Sequence, residues 1–147
     1  MLIKSMQLNK FTDYGLRVLL QLAAFDPDRV SVAQISNSYA ISDHHVAKVA
    51  SALVKGGFVL SGRGRAGGLT LASPSSQINI GAVVRYLSGD VPVVECFAKD
   101  GCDCAAFSQC GLRGPLYDAQ QAFFGVLDGY SLAQVVKDNR LMASLLT

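Results

Sequence analysis

Charge is scarce in this 147-residue chain: Asp, Glu, Lys and Arg make up 16% of it, against 50% apolar residues. So few charges are a thin coat for a freely soluble monomer. Apolar surface is therefore expected to be hidden against a partner, most simply a second copy of the chain. No run of about eighteen apolar residues occurs, so no membrane-spanning helix is expected. The opening MLIKSMQLNK lacks the apolar core of a secretory leader, which makes the cytoplasm the expected compartment. Histidine is confined to His44 and His45, and no Ser/His/Asp or Cys/His arrangement for nucleophilic catalysis stands out, so an enzyme is not expected. The glycine-rich GRGRAGG lacks the strand–turn–helix setting and downstream acid of a dinucleotide loop, and no Gly-Lys-Ser/Thr follows it.

What charge there is falls unevenly. Residues 1–70 carry eight Lys/Arg against four Asp, whereas residues 71–147 carry five basic and seven acidic side chains. A basic front and an acidic back suit a nucleic-acid-binding half followed by a half with another task.

Along the front half, apolar residues from Phe11 to Phe25 recur at three- and four-residue intervals, which predicts a helix capped by Asn9 or Thr12. Ser31 caps a short helix over Val32–Ala40. Ser42 caps another reaching about Val54, with Val46, Val49, Ala50 and Leu53 inward and His44, His45, Lys48 and Ser51 at least partly outward. Gly56-Gly57 stops it. The two form a helix-turn-helix pattern. Phe58–Ser61 and Gly68–Ala72 have strand character around the Gly/Arg tip, and three helices followed by such a hairpin make a winged helix. Ser42, His44, His45 and Lys48 at the start of the recognition helix are the expected contacts to phosphates and base edges of double-stranded DNA. Arg63 and Arg65 on the wing suit an adjacent minor groove.

Pro74–Gln77 reads as a linker. A short helix over Ile80–Leu87 is broken by Gly89, Asp90 and Pro92, and a longer one runs from Leu112 to about Leu127 with Pro115 in its first turn. Leu116, Ala119, Phe123, Val126 and Leu127 give that helix one broad apolar side. Ser131 caps a last short helix, and an apolar tail, Leu141–Leu146, packs back on the domain. The expected organisation is mainly α with a small β-hairpin wing. Residues 1–75 form a winged helix-turn-helix domain, and residues 76–147 hold a cofactor loop and a helical dimerisation region.

Between those helices lie all four cysteines, Cys96, Cys102, Cys104 and Cys110, spaced x5, x1 and x5. A loop of this length can gather three or four thiolates, with Gly101 and Gly111 easing its folding. It has no C-x2–4-C pair of the kind a zinc knot uses. That favours an iron–sulfur cluster over zinc, regulatory thiols or disulfides, and structural cysteines.

FTDYGLRVL, SDHHVAKVASALVKGGFV, GRGRAGGLTL, INIGAVVR, and ECF followed by further cysteines and AQQAFFGVLDGYSLAQVV occur in one order over about residues 6–138. In this the chain resembles the iron–sulfur winged-helix repressors that include NsrR, RirA and IscR, most closely the NsrR- and RirA-like members. The resemblance implies a homodimeric repressor on a pseudo-palindromic operator. It further implies an iron–sulfur cluster, 4Fe–4S favoured and 2Fe–2S also accommodated. Its ligands would be Cys96, Cys104 and Cys110, with Cys102 as an alternate and Asp13 from the partner subunit as the fourth. Asp13 also suits the positive end of its own helix. Nitric oxide is the implied signal, with iron availability as the alternative through the RirA-like cysteine spacing. Thiol redox regulation without a cluster, and more distantly electron transfer, remain the readings of different kind.

Overall fold

A computed structural model describes residues 7–65, 67–89 and 92–147. The expectation for the opening stretch before Gln7, Ala66 of the wing tip, and Asp90 as a helix breaker lie outside the described residues. Helices α1 (Lys10–Phe25), α2 (Val32–Tyr39) and α3 (Asp43–Lys55) are followed by strands β1 (Val59–Gly62) and β2 (Gly68–Leu71). Then come α4 (Ile80–Ser88), α5 (Arg113–Asp128), α6 (Leu132–Val135) and α7 (Asn139–Leu145). The architecture is mainly helical with one small antiparallel sheet, as the sequence predicts.

The caps explain where the helices begin. Asn9 Oδ1 accepts from Thr12 N–H at 2.8 Å, so Asn9 and not Thr12 is the cap of α1. Thr12 is buried inside the helix with its hydroxyl 3.2 Å from Ser88 Oγ on α4. Ser31 and Ser131 form reciprocal capping boxes with Gln34 and Gln134. Ser42 accepts from His45 N–H and starts α3. Between α2 and α3 the corner residue Ala40 adopts φ 52°, ψ 44°, the left-handed conformation that reverses the chain.

One apolar cluster joins the helix-turn-helix to the wing and to the C-terminal helices. Leu19 and Leu22 of α1, Ile35 of α2, Leu53 of α3, Val59 and Leu69 of the strands, Val83 of α4 and Leu132 of α6 all belong to it. At Gly15 the approach of α4 is close enough that a Cβ would lie 2.2 Å from Leu87 Cδ1. The absence of a side chain there is what lets α4 lie against α1.

Several local features differ from the sequence expectation. The Pro74–Gln77 linker contains a turn of 3-10 helix over Ser75–Gln77. Phe11 is exposed, outside the inward stripe of α1. The helix capped by Ser131 is not the last: Asp138 caps α7, which packs on α1, with Asn139 Nδ2 donating to Ala23 O and Ser38 Oγ donating to Leu146 O. The wing also gains a third strand of one residue. Val30 and Leu69 exchange both backbone hydrogen bonds, at 3.0 and 2.8 Å, tying the hairpin to the α1–α2 connection.

Helix α5 departs most from a globular pattern, for none of its residues is buried. Its apolar residues form one broad arc that differs in burial from flank to flank. Phe124 and Leu127 are half-buried against the body and Leu116 is half-buried nearer the loop end, while Pro115, Ala119, Ala122 and Val126, at spacings of four, three and four, are exposed. At about 100° per residue that stripe lies well round the helix from the packed side. The broad apolar side expected from sequence is therefore covered on one flank and open on the other, with the exposed Phe123 between them.

Candidate cofactor loop and DNA interface

The recognition helix places its expected residues together at one exposed end. Ser42, His44, His45 and Lys48 are all exposed, and the two imidazole rings are 6.1 Å apart and tilted by 50°. His45 also approaches the Tyr14 ring of α1, with centroids 6.2 Å apart. A buried face of Val46, Val49, Ala50 and Leu53 fixes the helix so that these polar groups point away from the core. Arg63 and Arg65 are exposed at the tip of the hairpin. Sequence reasoning passes over Arg29, whose guanidinium packs on the backbone of Gly62. A Cβ on that glycine would lie 1.7 Å from Arg29 Nη1. The clue available in sequence is a lone cation beside the strand-forming Val30.

The loop between α4 and α5 carries the four thiols. All four are free; Cys96, Cys102 and Cys110 are half-buried and Cys104 is exposed. Short 3-10 turns over Glu95–Phe97 and Phe107–Gln109 stiffen its two arms, and the Phe97 ring meets Tyr117 of α5 edge-on with centroids 6.3 Å apart. Among the described residues of a single chain, no three His, Cys, Asp or Glu side chains converge tightly enough to hold a metal ion. The donor chemistry nevertheless fits a thiophilic cofactor. Arg113 Nε, at the start of α5 beside the loop, is buried and has no hydrogen-bond partner among the described residues.

Asp13 stands apart from the loop on α1, half-exposed. Its carboxylate accepts from Arg17 Nε at 3.2 Å and Nη2 at 2.9 Å, one helical turn on. Arg17 also lies over the Tyr14 and Tyr39 rings at 5.8 and 5.7 Å. Burial raises the Tyr39 phenol above its ordinary pKa, and the Arg17 charge opposes that rise.

The body and α5 are joined by a compact polar tie. Arg85 of α4 donates through Nη1 to Asp128 Oδ1, and through Nη2 to Oδ2 at 2.8 Å. Asn79 Nδ2 donates to Asp128 O at 2.7 Å. The same guanidinium lies 4.7 Å from the Phe124 ring centre. Gly81 leaves room for this, since a Cβ there would stand 2.0 Å from Asp128 Oδ1. Hydrogen bonding to Arg85 lowers the Asp128 carboxyl below its ordinary value and raises the guanidinium.

No helix among the described residues is long and apolar enough to cross a membrane. Residues 8–138 match the family described as "Rrf2: Iron-dependent Transcriptional regulator". The chain is 42% identical over 142 residues to the HTH-type transcriptional regulator NsrR of Geobacillus kaustophilus, covering 96% of this chain and 97% of that relative. It is equally similar, 42% over 142 residues with the same coverage, to the regulator of that name from Bacillus subtilis. The solved structure of T. potens IscR superposes with a TM-score of 0.70 at 24% identity, covering 90% of this chain and 87% of that one, which supports the winged-helix fold. The chain belongs to the Rrf2 family, and is a DNA-binding transcriptional regulator rather than an enzyme.

Proposed function

We propose that this regulator is a cytoplasmic homodimeric repressor of a pseudo-palindromic operator, controlled by an iron–sulfur cluster that responds to nitric oxide. The observation that carries the reading is the loop itself: four free thiols between Cys96 and Cys110, on a segment leading straight into α5 of an Rrf2-family regulator. Cys96, Cys104 and Cys110 would hold the cluster, with Cys102 as the alternate thiol and Asp13 of the partner subunit as the fourth ligand. Bound there, the cluster supplies iron at which nitric oxide can react. A 4Fe–4S core is favoured, and 2Fe–2S is accommodated by the same donors.

The protein's own residues do the rest. Ser42, His44, His45 and Lys48 engage the major groove, and Arg63 and Arg65 the minor groove beside it. Both recognition helices of a dimer must meet their half-sites at once, so a small change in their spacing lowers specific affinity. The route for such a change is α5, which comes directly after the loop, is tied to α4 by Arg85 and Asp128, and through α4 bears on α1. Asp13 is half-exposed and its carboxylate keeps lone pairs beyond the two contacts to Arg17, which leaves it able to serve a partner's cofactor.

The test is anaerobic purification with iron and acid-labile sulfide analysis, then operator binding at fixed salt before and after titration with nitric oxide. Cluster content and a fall in specific affinity on titration are expected. Equal binding by loaded and cluster-free protein refutes the sensor. Cys96→Ser, Cys104→Ser and Cys110→Ser should each abolish stable loading, and retention of iron and sulfide in any of them refutes that ligand. Iron availability is the second reading, favoured by the iron dependence in the family's description. It predicts loss of operator binding on chelation without nitric oxide.

A further inference from the structure

Arg29 stands where the helix-turn-helix meets the wing. It lies two residues before Ser31, the cap of α2, which is the first helix of that motif. In helix-turn-helix complexes the first helix crosses the sugar–phosphate backbone while the second enters the groove. The next residue, Val30, exchanges backbone hydrogen bonds with Leu69 of the wing. Arg29 is exposed, and its side chain runs across the hairpin.

The hairpin is shaped to receive it. Residues opposite one another in an antiparallel pair share a face. Val59 and Leu69 are buried, so the pairs Val59–Leu71 and Ser61–Leu69 look inward, while Leu60–Thr70 and Gly62–Gly68 look outward. Leu60, 57% exposed, agrees. On that outer face a Cβ at Gly68 would stand 3.2 Å from Arg29 Cβ, and one at Gly62 would stand 1.7 Å from Arg29 Nη1. The two facing glycines thus leave a trough that the arginine fills. Gly68 has φ 140°, which favours glycine by itself, but Gly62 has no positive φ. Passage of the guanidinium is what accounts for the missing side chain at Gly62.

The guanidinium ends beside Gly62, the residue before Arg63. A minor groove is about 7.5 Å deep, the length of about two extended residues. With Arg63 or Arg65 at its floor, Gly62 comes level with the rim, where the phosphates lie. Resting on the reading of the wing given above, we infer that Arg29 is a further DNA-contact residue, whose guanidinium donates to a phosphate at the rim of the groove that the wing enters. Its N–H donors, fixed in one plane, let it hold the hairpin and reach that oxygen at once. The contact carries no base preference; it fixes how the wing is seated.

The experiment measures binding to a fluorescein-labelled A·T-rich duplex of about three helical turns, by anisotropy between about 50 and 200 mM salt. Wild type is compared with Arg29→Gln, Gly62→Ala, the two combined, and a variant carrying both Arg63→Gln and Arg65→Gln. Circular dichroism melts compare their folds. Asp26 and Asp28 share the connector with Arg29, so Arg29→Gln also alters the general field. Gly62→Ala separates the two effects: it keeps every charge, and its methyl takes the place of the guanidinium, whose atoms are its three nearest neighbours. Arg29→Gln should lower the slope of log affinity against log salt by about one per protomer, so that the wild-type advantage shrinks by about threefold per contact across that range. Gly62→Ala should weaken binding too, and in the combined variant the losses should not add, because both remove one contact. An unchanged slope in Arg29→Gln, Gly62→Ala that binds as wild type, or losses that add overturns the contact and leaves the wing reading intact. An unchanged slope in the Arg63→Gln, Arg65→Gln variant refutes the wing reading itself.

Discussion

Val126→Asp tests whether the outer stripe of α5 is the surface that pairs two protomers. Val126 is 63% exposed, and Pro115, Ala119 and Ala122 extend the same exposed line along the helix. Full burial of a valine side chain is worth at least about 1.5 kcal/mol, so the exposed two-thirds represents about 1 kcal/mol. A two-fold interface uses each position twice, which makes about 2 kcal/mol per dimer. Aspartate forfeits that and adds the cost of taking two carboxylates out of water, at least about 2 kcal/mol more. The total of about 4 kcal/mol corresponds to roughly a thousandfold weaker dimer. Val126→Ser, which removes the apolar contribution without a charge, should weaken it by about thirtyfold. Sedimentation equilibrium over the micromolar range measures both. Because Val126 is exposed on its own protomer, the thermal melt by circular dichroism should be unchanged at concentrations low enough that wild type is also monomeric. A Val126→Asp protein that sediments as wild type, or a wild type that is monomeric throughout that range, refutes the reasoning.

Three further outcomes are expected. Leu53→Ala removes a fully buried side chain from the cluster joining α3 to the rest and should destabilise the fold by about 2–5 kcal/mol, read as a lower urea midpoint. If Lys48 contacts a phosphate, Lys48→Gln should weaken binding to all DNA sequences alike and reduce the slope of log affinity against log salt by about one per protomer contact; an unchanged slope rejects the contact. Acid should undo the tie between α4 and α5. The Asp128 carboxyl is held below its ordinary value by Arg85, so the pair's contribution is complete above the ordinary carboxylate pKa of about 3.9 and is lost as pH falls through the lower folded value. Asp128→Asn should therefore lower the melting temperature at about pH 6 and have a smaller effect at about pH 2. An equal effect at both rejects the electrostatic account.

The helix starts are legible because Ser31, Ser42 and Ser131 each place a short oxygen-bearing side chain just before a periodic apolar run. Asn9 and Thr12 cannot be separated that way, since either could accept a bond from the first turn; burial of Thr12 against Ser88 decides it. Helix α7 reads in sequence only as an apolar tail, because it is short and its stability comes from packing on α1 and from Ser38, more than a hundred residues away. The Val30–Leu69 pairing involves one residue on each side and leaves no alternation to detect. At the site, sequence supplies the kind and spacing of the donors but not their three-dimensional relation, which depends on the path of a fifteen-residue loop. Arg29 escapes notice for a similar reason: a single arginine ahead of a capped helix looks like any solvated cation until the hairpin glycines are seen beneath it.

The reciprocal backbone bonds between Val30 and Leu69 make the wing an outrigger braced from behind. The stretch Asp26–Arg29 leading to that brace is then one of two attachments of the hairpin to the body, the other being the turn after α3. If Arg63 and Arg65 meet the duplex, lengthening or shortening that stretch should shift the wing, and with it the length of DNA protected by one protomer, without altering α3.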